Sequence, residues 1–80
     1  MNLRMHRILK GLTQWDFGLK LGRSQTQISL MERGYIIPNT DERNHIAEIL
    51  QVDLNKIEFP EIGTRNMAHQ STERLENQEG

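Results

Sequence analysis

Apolar residues in the first 60 positions recur at helical spacing within short segments, and glycines or capping residues separate these segments. Residues 2–10 contain no glycine or proline and place leucine and isoleucine among basic side chains, as in an amphipathic helix. Gly11 follows where a helix would end, and glycine is favoured there because it adopts left-handed backbone angles freely. The pattern predicts a first helix over residues 2–10.

Two pairs of polar residues have the spacing of a capping box and predict where the next two helices begin. Thr13 stands three residues before Asp16, and Ser24 stands three residues before Gln27. Each hydroxyl can therefore accept a hydrogen bond from an amide of the first helical turn. The predicted second and third helices are 14–21, ended by Gly22, and 25–33, ended by Gly34.

Two more helices are predicted in the second half of the chain. Asn39 and Glu42 repeat the capping spacing and open a fourth helix, whose apolar residues come late. Asp53 can cap a last short helix over residues 54–58. The sequence therefore predicts an all-α fold, a compact domain of five helices and no strand over residues 1–60.

The character of the chain changes after this predicted domain. Residues 61–80 hold only four apolar residues other than glycine, and they carry four acidic against two basic side chains. Such a segment buries too little apolar surface to offset the entropy lost on ordering. We expect residues 61–80 to be a mostly disordered, acidic tail.

The composition excludes several classes of function. The 80 residues include no cysteine, which removes disulfides, thiolate nucleophiles and cysteine-bound metals, and the three histidines are far apart. The sequence shows neither a glycine-rich phosphate loop nor a nucleophile with a nearby base, so we predict no cofactor, no metal and no enzyme. No apolar run approaches the ~18 residues of a membrane span, and we expect a soluble, cytoplasmic protein.

Charge is distributed unevenly between the two halves. Residues 1–37 carry six basic and two acidic side chains, a net charge of +4, whereas residues 38–80 carry four basic and nine acidic ones, a net charge of −5. A basic half is what a protein with one face toward a polyanion would show, although solvated surfaces also carry such charge. The asymmetry is compatible with nucleic-acid binding despite the overall net charge of −1.

The third predicted helix has a face suited to contacting bases. At about 100° per residue, Ile28 and Met31 lie on one side. Amides and hydroxyls can bond base edges in the major groove, arginine can bind guanine or phosphate, and apolar groups can meet thymine methyls. An ordinary solvated helix has a similar pattern. The residues on the opposite face from the two apolar ones are Gln25, Thr26, Ser29, Leu30 and Arg33.

The ordered set of motifs resembles the Cro and phage-repressor-like (XRE-type) helix-turn-helix family of DNA-binding proteins. The matching strings are R-x-x-x-G-L-T-Q from Arg7, K-L-G-R-S-Q-T-Q-I-S from Lys20, E-R-G-x-x-x-P from Glu32 and I-A-E-I-L-Q-V from Ile46. Together they cover about residues 3–59. No one string is specific, but their order along the chain is.

The resemblance implies a structural role for six residues. A small residue at Gly18 lets the third helix approach the second, and Gly22 makes the turn between them. Ile28 and Met31 fix the third helix to the core. Arg7 and Glu32 match positions that form a partly buried ion pair in the family, joining the first helix to the end of the third.

The resemblance also implies contacts with double-stranded DNA. Gln25 and Thr26 would reach base edges, and Leu30 stands where the family often has another base-contacting side chain. Gln14 would bond a phosphate and support Gln25. Arg23 and Arg33 flank the helix and would sit against phosphates. The predicted DNA-binding residues are Gln14, Arg23, Ser24, Gln25, Thr26, Ser29, Leu30, Arg33 and Tyr35.

The sequence departs from the family pattern at two places. Tyr35, Ile36 and Ile37 stand where basic or polar residues are common, and we expect them to pack under the fourth helix, with Tyr35 still able to reach phosphate. Trp15 and Leu19 add an apolar stripe to the second helix. Either the tail buries this stripe or a partner protein binds it.

These observations lead to two hypotheses about function. The first is a sequence-specific regulator, a repressor, which binds a two-fold symmetric operator as a homodimer, because one recognition helix contacts too few base pairs. Its predicted dimer surface is the apolar end formed by Leu54, Ile57 and Phe59. The second is an antitoxin, whose main partner would be a toxin bound through the acidic tail or the Trp15 stripe, and which would also repress its own gene.

Overall fold

The computed structural model describes residues 1–61, and within them the chain forms four α-helices and one 3-10 turn. The predicted all-helical fold is confirmed for this range, where no strand forms and only an isolated bridge pairs Asn2 with Glu58. The predicted tail from residue 62 onward lies outside the described residues. The elements are α1 (Leu3–Leu9), α2 (Gln14–Leu21), α3 (Gln25–Glu32), α4 (Thr40–Leu50) and the 3-10 turn (Leu54–Lys56).

The prediction of a fifth helix over residues 54–58 is wrong, because the segment makes a single 3-10 turn. Asp53 precedes the turn but its side chain makes no capping hydrogen bond. Ile57 is already extended, with φ −102° and ψ 123°, and the next residue, Glu58, pairs its backbone with the segment before α1. A helix cannot continue through a residue whose backbone is used in this way.

The predicted starts of α2 and α3 are confirmed by complete capping boxes. The Asp16 amide donates to Thr13 Oγ1 at 3.0 Å and the Thr13 amide donates to Asp16 Oδ2 at 3.3 Å. Ser24 and Gln27 make the same two bonds, at 3.1 and 2.9 Å. Because side chains satisfy amides that the helix leaves free, the two helices begin at fixed residues.

The core consists of side chains from every helix, and the short connections force these side chains together. Phe17 and Ile28 are fully buried at the crossing of α2 and α3, and α4 contributes Ile46 and Leu50. The buried apolar residues are Leu3, Phe17, Ile28, Met31, Ile46, Leu50 and Ile57. Ile57 is only 6% exposed. The expectation that it belongs to an exposed apolar end does not hold, because its side chain completes the domain's own core.

The segment after the 3-10 turn returns to the start of α1 and closes the domain. The Leu3 amide donates to the Glu58 carbonyl at 3.2 Å, and the Glu58 amide donates to the Met1 carbonyl at 3.0 Å. His6 Nε2 lies 3.0 Å from the Lys56 carbonyl. These contacts tie the first helix to the last described segment.

Arg43 holds the end of this segment against α4. Its guanidinium carbon lies 4.8 Å from the centre of the Phe59 ring, and one of its nitrogens lies 2.9 Å from Glu61 Oε2. Its Nε donates to the Pro38 carbonyl at 3.0 Å. Arg43 thus stacks on an aromatic ring and forms an ion pair at the early part of α4, where the sequence lacks apolar residues.

Candidate nucleic-acid interface

Two glycines shape the turn between α2 and α3, for different reasons. A Cβ atom on Gly18 would lie 2.4 Å from the Arg23 carbonyl oxygen and 3.5 Å from Ile28 Cγ1, so the close approach of the two helices requires glycine there. Gly22 has open space around it but has a φ of +87°, which side-chain-bearing residues rarely adopt. The Gly18 carbonyl accepts from the Gly22 and Arg23 amides at 2.7 and 2.9 Å, which closes the turn.

The third helix turns its polar side toward solvent. Ile28 is fully buried and Met31 is 1% exposed, so these two residues anchor the inner face. Gln25 and Thr26 are exposed at the N-terminal end, and Ser29 and Leu30 are half-buried along the same side. A polar and partly apolar surface therefore lies on the outer side of α3, and the buried side of the same helix packs into the core.

Gln27 lies beside the two exposed residues but serves the helix itself. Its side-chain oxygen accepts from the Ser24 amide at 2.9 Å, as the second half of the α3 capping box. Sequence analysis did not place Gln27 among the DNA-contacting residues, and the capping spacing was the signal that set it apart. The Ser24 hydroxyl is likewise engaged, because it accepts from the Gln27 amide.

Gln14 joins an ion pair in the interior instead of pointing freely outward. Arg7 Nε lies 2.5 Å from Glu32 Oε2, and the two side chains are only 8% and 2% exposed. Gln14 Nε2 donates to the other Glu32 oxygen at 3.1 Å. Arg7 also donates to the Leu12 carbonyl at 2.7 Å. The network joins α1, α2 and the end of α3, and it fixes the N-terminus of α2 relative to α3.

Arg23, which the sequence placed against phosphate, is paired with an acid of α4. Its Nε lies 2.6 Å from Glu42 Oε2, and a second guanidinium nitrogen lies 2.8 Å from Glu42 Oε1. The hydrogen bond to Arg23 is the main cause that lowers the pKa of the Glu42 carboxyl, against the opposing effect of burial. The same bond raises the pKa of the Arg23 guanidinium. Both groups are therefore charged at neutral pH.

The Arg23–Glu42 pair escaped the sequence analysis because its members are far apart in the chain. Glu42 has the capping spacing from Asn39, and the Glu42 amide does donate to Asn39 Oδ1 at 2.8 Å. Its carboxylate, however, bonds Arg23 with both oxygens. Only the fold brings α4 beside the α2–α3 turn, so no local pattern marks this contact.

Arg33 and Tyr35 lie together at the C-terminal end of α3. The Arg33 guanidinium carbon is 5.7 Å from the centre of the Tyr35 ring, and Arg33 Nε lies 3.4 Å from the Ser29 carbonyl. Tyr35 is 65% exposed. Arg33 is thus an exposed cation whose guanidinium lies over the Tyr35 ring at the C-terminal end of α3.

The residues after α3 only partly follow the expectation that they pack under α4. Ile36 is half-buried and packs against the core. Tyr35 and Ile37 do not, because Ile37 is 44% exposed and Tyr35 is more exposed still. The expectation is wrong for these two side chains, which lie on the surface, whereas Pro38, the residue after Ile37, is buried.

Comparison with known proteins decides the family. A family model described as helix-turn-helix matches residues 3–57, well over half of the chain. The chain belongs to the helix-turn-helix family. Members of this family are DNA-binding transcription regulators and are not typically enzymes. The geometry of α2, α3 and the turn between them is therefore that of a DNA-binding unit.

One relative of this helix-turn-helix protein is the ImmF control region 10 kDa protein of Bacillus phage phi105. The two are 36% identical over 53 residues, which cover 66% of this chain and 59% of the relative. The chain thus spans less than two thirds of the length of this relative. No solved structure matches the chain.

The helix-turn-helix protein also exposes apolar side chains that the core does not use. Trp15 and Leu19 are 59% and 67% exposed on α2, and no residue in the range 1–61 buries them. Of the predicted dimer surface, Leu54 and Phe59 are half-buried while Ile57 is in the core. Trp15 and Leu19 therefore stay open to the tail or to a partner.

Within residues 1–61, no three histidine, aspartate or glutamate side chains lie close enough to hold a metal ion. The longest described helix, α4, has 11 residues, and none of the described helices has the length and apolarity to cross a membrane.

Proposed function

We propose that this helix-turn-helix protein is a sequence-specific repressor that binds a two-fold symmetric operator as a homodimer. The observation that carries the proposal is the orientation of α3, with Gln25 and Thr26 exposed and Ile28 and Met31 buried. The relative from phage phi105 is named as a control region protein, which supports a role in gene control.

In this proposal α3 enters the major groove with its N-terminal end first. The Gln25 amide can donate and accept at once, so it can bond an adenine edge in two places. Thr26 offers a hydroxyl and a methyl group, and Leu30 offers apolar surface to a thymine methyl. Ser29 is half-buried and lies on the same side of the helix. Sequence discrimination would thus come from the exposed side of one helix.

Phosphate contacts would position this helix along the duplex. Arg33 is exposed and carries its charge beside Tyr35, whose hydroxyl is a second donor for phosphate. Backbone amides at the N-termini of α2 and α3, near Gln14 and Ser24, are further donors. These contacts fix register and carry no sequence information themselves.

A homodimer would supply the base pairs that one helix cannot contact. Two recognition helices about one helical turn apart, ~34 Å, would contact two half-sites of a palindrome. Leu54 and Phe59, at the end of the domain beside the 3-10 turn, are the residues that we propose for the dimer contact. Both retain partial exposure in a single chain.

Selection of bound sequences from random duplexes tests the proposal most directly. We expect a two-fold symmetric motif and a complex of two chains per duplex. Sedimentation of the free chain and of the complex measures the stoichiometry. Selection that returns no sequence preference would overturn the repressor proposal, and one chain per duplex at high protein concentration would overturn the homodimer.

A second candidate function is neutralisation of a toxin, favoured by the exposed pair Trp15 and Leu19. In this alternative the main partner is a protein, and control of the chain's own gene is secondary. Co-expression of this chain with a candidate toxin distinguishes the two. The antitoxin alternative is favoured if the wild type restores growth and if Trp15→Ser and Leu19→Ser abolish this rescue without weakening DNA binding.

A further inference from the structure

Arg23 occupies a position from which a basic residue would reach DNA. It lies directly between Gly22, which makes the turn, and Ser24, which caps α3. A duplex that meets Gln25 and Thr26 brings its sugar-phosphate backbone close to this end of α3. A free guanidinium here would bind phosphate in any sequence.

The guanidinium of Arg23 is nevertheless taken up within the protein. Both oxygens of Glu42 bond it, at 2.6 and 2.8 Å, in the two-point arrangement that fits a carboxylate to a guanidinium best. The Arg23 side chain is 26% exposed and the Glu42 side chain is 16% exposed, so solvent screens the pair only partly. The lowered pKa of the Glu42 carboxyl agrees with a stable pair at neutral pH.

Glu42 is not needed in this arrangement to cap α4. The capping bond is donated by its backbone amide to Asn39, and its side chain does not return to Asn39. A substitution that keeps the backbone and the side-chain length therefore leaves the cap in place. What it removes is the negative charge that faces Arg23.

We propose that Glu42 sets how tightly the protein binds DNA of any sequence, because it neutralises Arg23 and so withholds a phosphate contact that every sequence offers. The inference rests on the proposed function, because it concerns how strongly the protein binds DNA. Phosphate contacts supply most of sequence-independent binding, whereas base contacts supply the preference. Removing one phosphate contact therefore weakens binding to operator and random DNA alike, and it leaves the base contacts proposed for Gln25 and Thr26 unchanged.

Glu42→Gln in the full chain is the central test, with a random-sequence duplex as the probe. One extra phosphate contact per bound chain steepens the fall of log K with log salt by about 0.9. Between about 50 and 200 mM salt this corresponds to an additional loss of affinity of roughly 3.5-fold. We expect this steeper slope, a several-fold higher affinity for random and operator DNA at low salt, and an unchanged ratio of operator to random affinity.

Asp41→Asn is the matched control. Asp41 is an exposed acid in the same first turn of α4, so its loss removes the same charge near the same helix end without touching Arg23. We expect Asp41→Asn to leave the slope for random DNA unchanged. An equal effect of Asp41→Asn and Glu42→Gln would overturn the proposal, because general charge would then explain both.

The double variant Arg23→Gln, Glu42→Gln keeps the net charge and separates the proposal from a direct contact by Arg23. If Glu42 keeps Arg23 from contacting phosphate in the wild type, the double variant binds random DNA with the wild-type slope of log K against log salt. A slope shallower by about 0.9 would show that Arg23 already contacts phosphate in the wild type, which overturns the proposal. This variant also decides the question if Glu42→Gln alone does not fold.

The wild-type chain distinguishes failure of this proposal from failure of the proposed function. A wild type that binds no duplex at any salt concentration would overturn both. A wild type that prefers a selected operator, combined with a Glu42→Gln variant of unchanged slope, would overturn only the role of Glu42. Circular dichroism melting of each variant shows whether it folds before binding is measured.

Discussion

Gln14 Nε2 donates to Glu32 Oε1 at 3.1 Å, and this bond connects the start of α2 to the end of α3. The same carboxylate accepts hydrogen bonds from two nitrogens of Arg7. Glu32 therefore holds three helices together through a single buried group. Charged groups this deeply buried fix geometry, because their removal leaves a partner without its counter-charge.

Glu32→Ala is expected to destabilise the domain strongly. It leaves the Arg7 guanidinium buried without a carboxylate, which costs about 3–5 kcal/mol. Gln14→Ala removes one neutral donor from the same carboxylate and should cost about 1 kcal/mol. Urea unfolding measures both. Similar losses for the two variants would contradict the arrangement of the network.

Gly18→Ala and Gly22→Ala are expected to be harmful for different reasons and to different degrees. Gly22→Ala should cost about 1–2 kcal/mol, the penalty for a side chain in the left-handed region. Gly18→Ala should cost more, because its Cβ would lie 2.4 Å from the Arg23 carbonyl oxygen and must displace backbone. The gain in helix propensity from glycine to alanine, about 1 kcal/mol, is too small to offset this displacement. Thermal unfolding of both variants checks the order.

Gln25→Ala is expected to change which operators are preferred while leaving stability nearly intact. Its side chain is exposed, so its loss creates no cavity. Ile28→Ala, three residues further along α3, is the structural counterpart and should cost about 2–5 kcal/mol. Selection of bound sequences and denaturant unfolding measure the two effects. If Gln25→Ala unfolded the domain, the orientation of α3 would be wrong.

Arg33→Ala is expected to weaken binding to all duplexes to a similar degree. The loss of one phosphate contact lowers the salt slope by about one. Because Arg33 is exposed, the free energy of unfolding should change little. Titrations at several salt concentrations with operator and random duplexes test this. A variant that lost only operator affinity would instead mark Arg33 as a base-contacting residue.

The contribution of the Arg23–Glu42 pair to stability is expected to disappear in acid. The pKa of Glu42 lies below its ordinary value of 4.5 in the folded chain, so the folded state prefers the charged carboxylate. The stabilisation is complete above the ordinary value and is lost as the pH falls through the lower, folded pKa. The difference in unfolding free energy between wild type and Glu42→Gln should therefore be largest near neutral pH. A difference independent of pH between neutrality and strong acid would contradict the pairing.

The sequence predicted the parts of this fold that depend on neighbouring residues. Capping boxes at Thr13 and Ser24 located the starts of α2 and α3, because a cap needs only residues three positions apart. The rotation of α3 about its axis followed from the spacing of Ile28 and Met31. Local chemistry and helical period therefore sufficed for the start of α3 and for which of its sides is buried.

Features that depend on distant residues were not predicted. The pairing of Arg23 with Glu42 requires α4 to lie beside the turn between α2 and α3. From the sequence, Arg23 was assigned to a phosphate contact and Glu42 to the capping spacing of α4. Ile57 was expected on the surface, but the return of Glu58 to the start of α1 draws it into the core. The same backbone pairing stops the last helix at a single 3-10 turn. Tertiary contacts outweighed local preference in each case.

The capping box of α3 divides its first turn into two kinds of position. Gln27 is committed to the helix, whereas Gln25 and Thr26 face solvent and support no part of the core. New side chains at these two sites can thus be tried at little cost to folding. Under the proposed function, substitutions at these two positions would change the preferred operator while the scaffold stays the same.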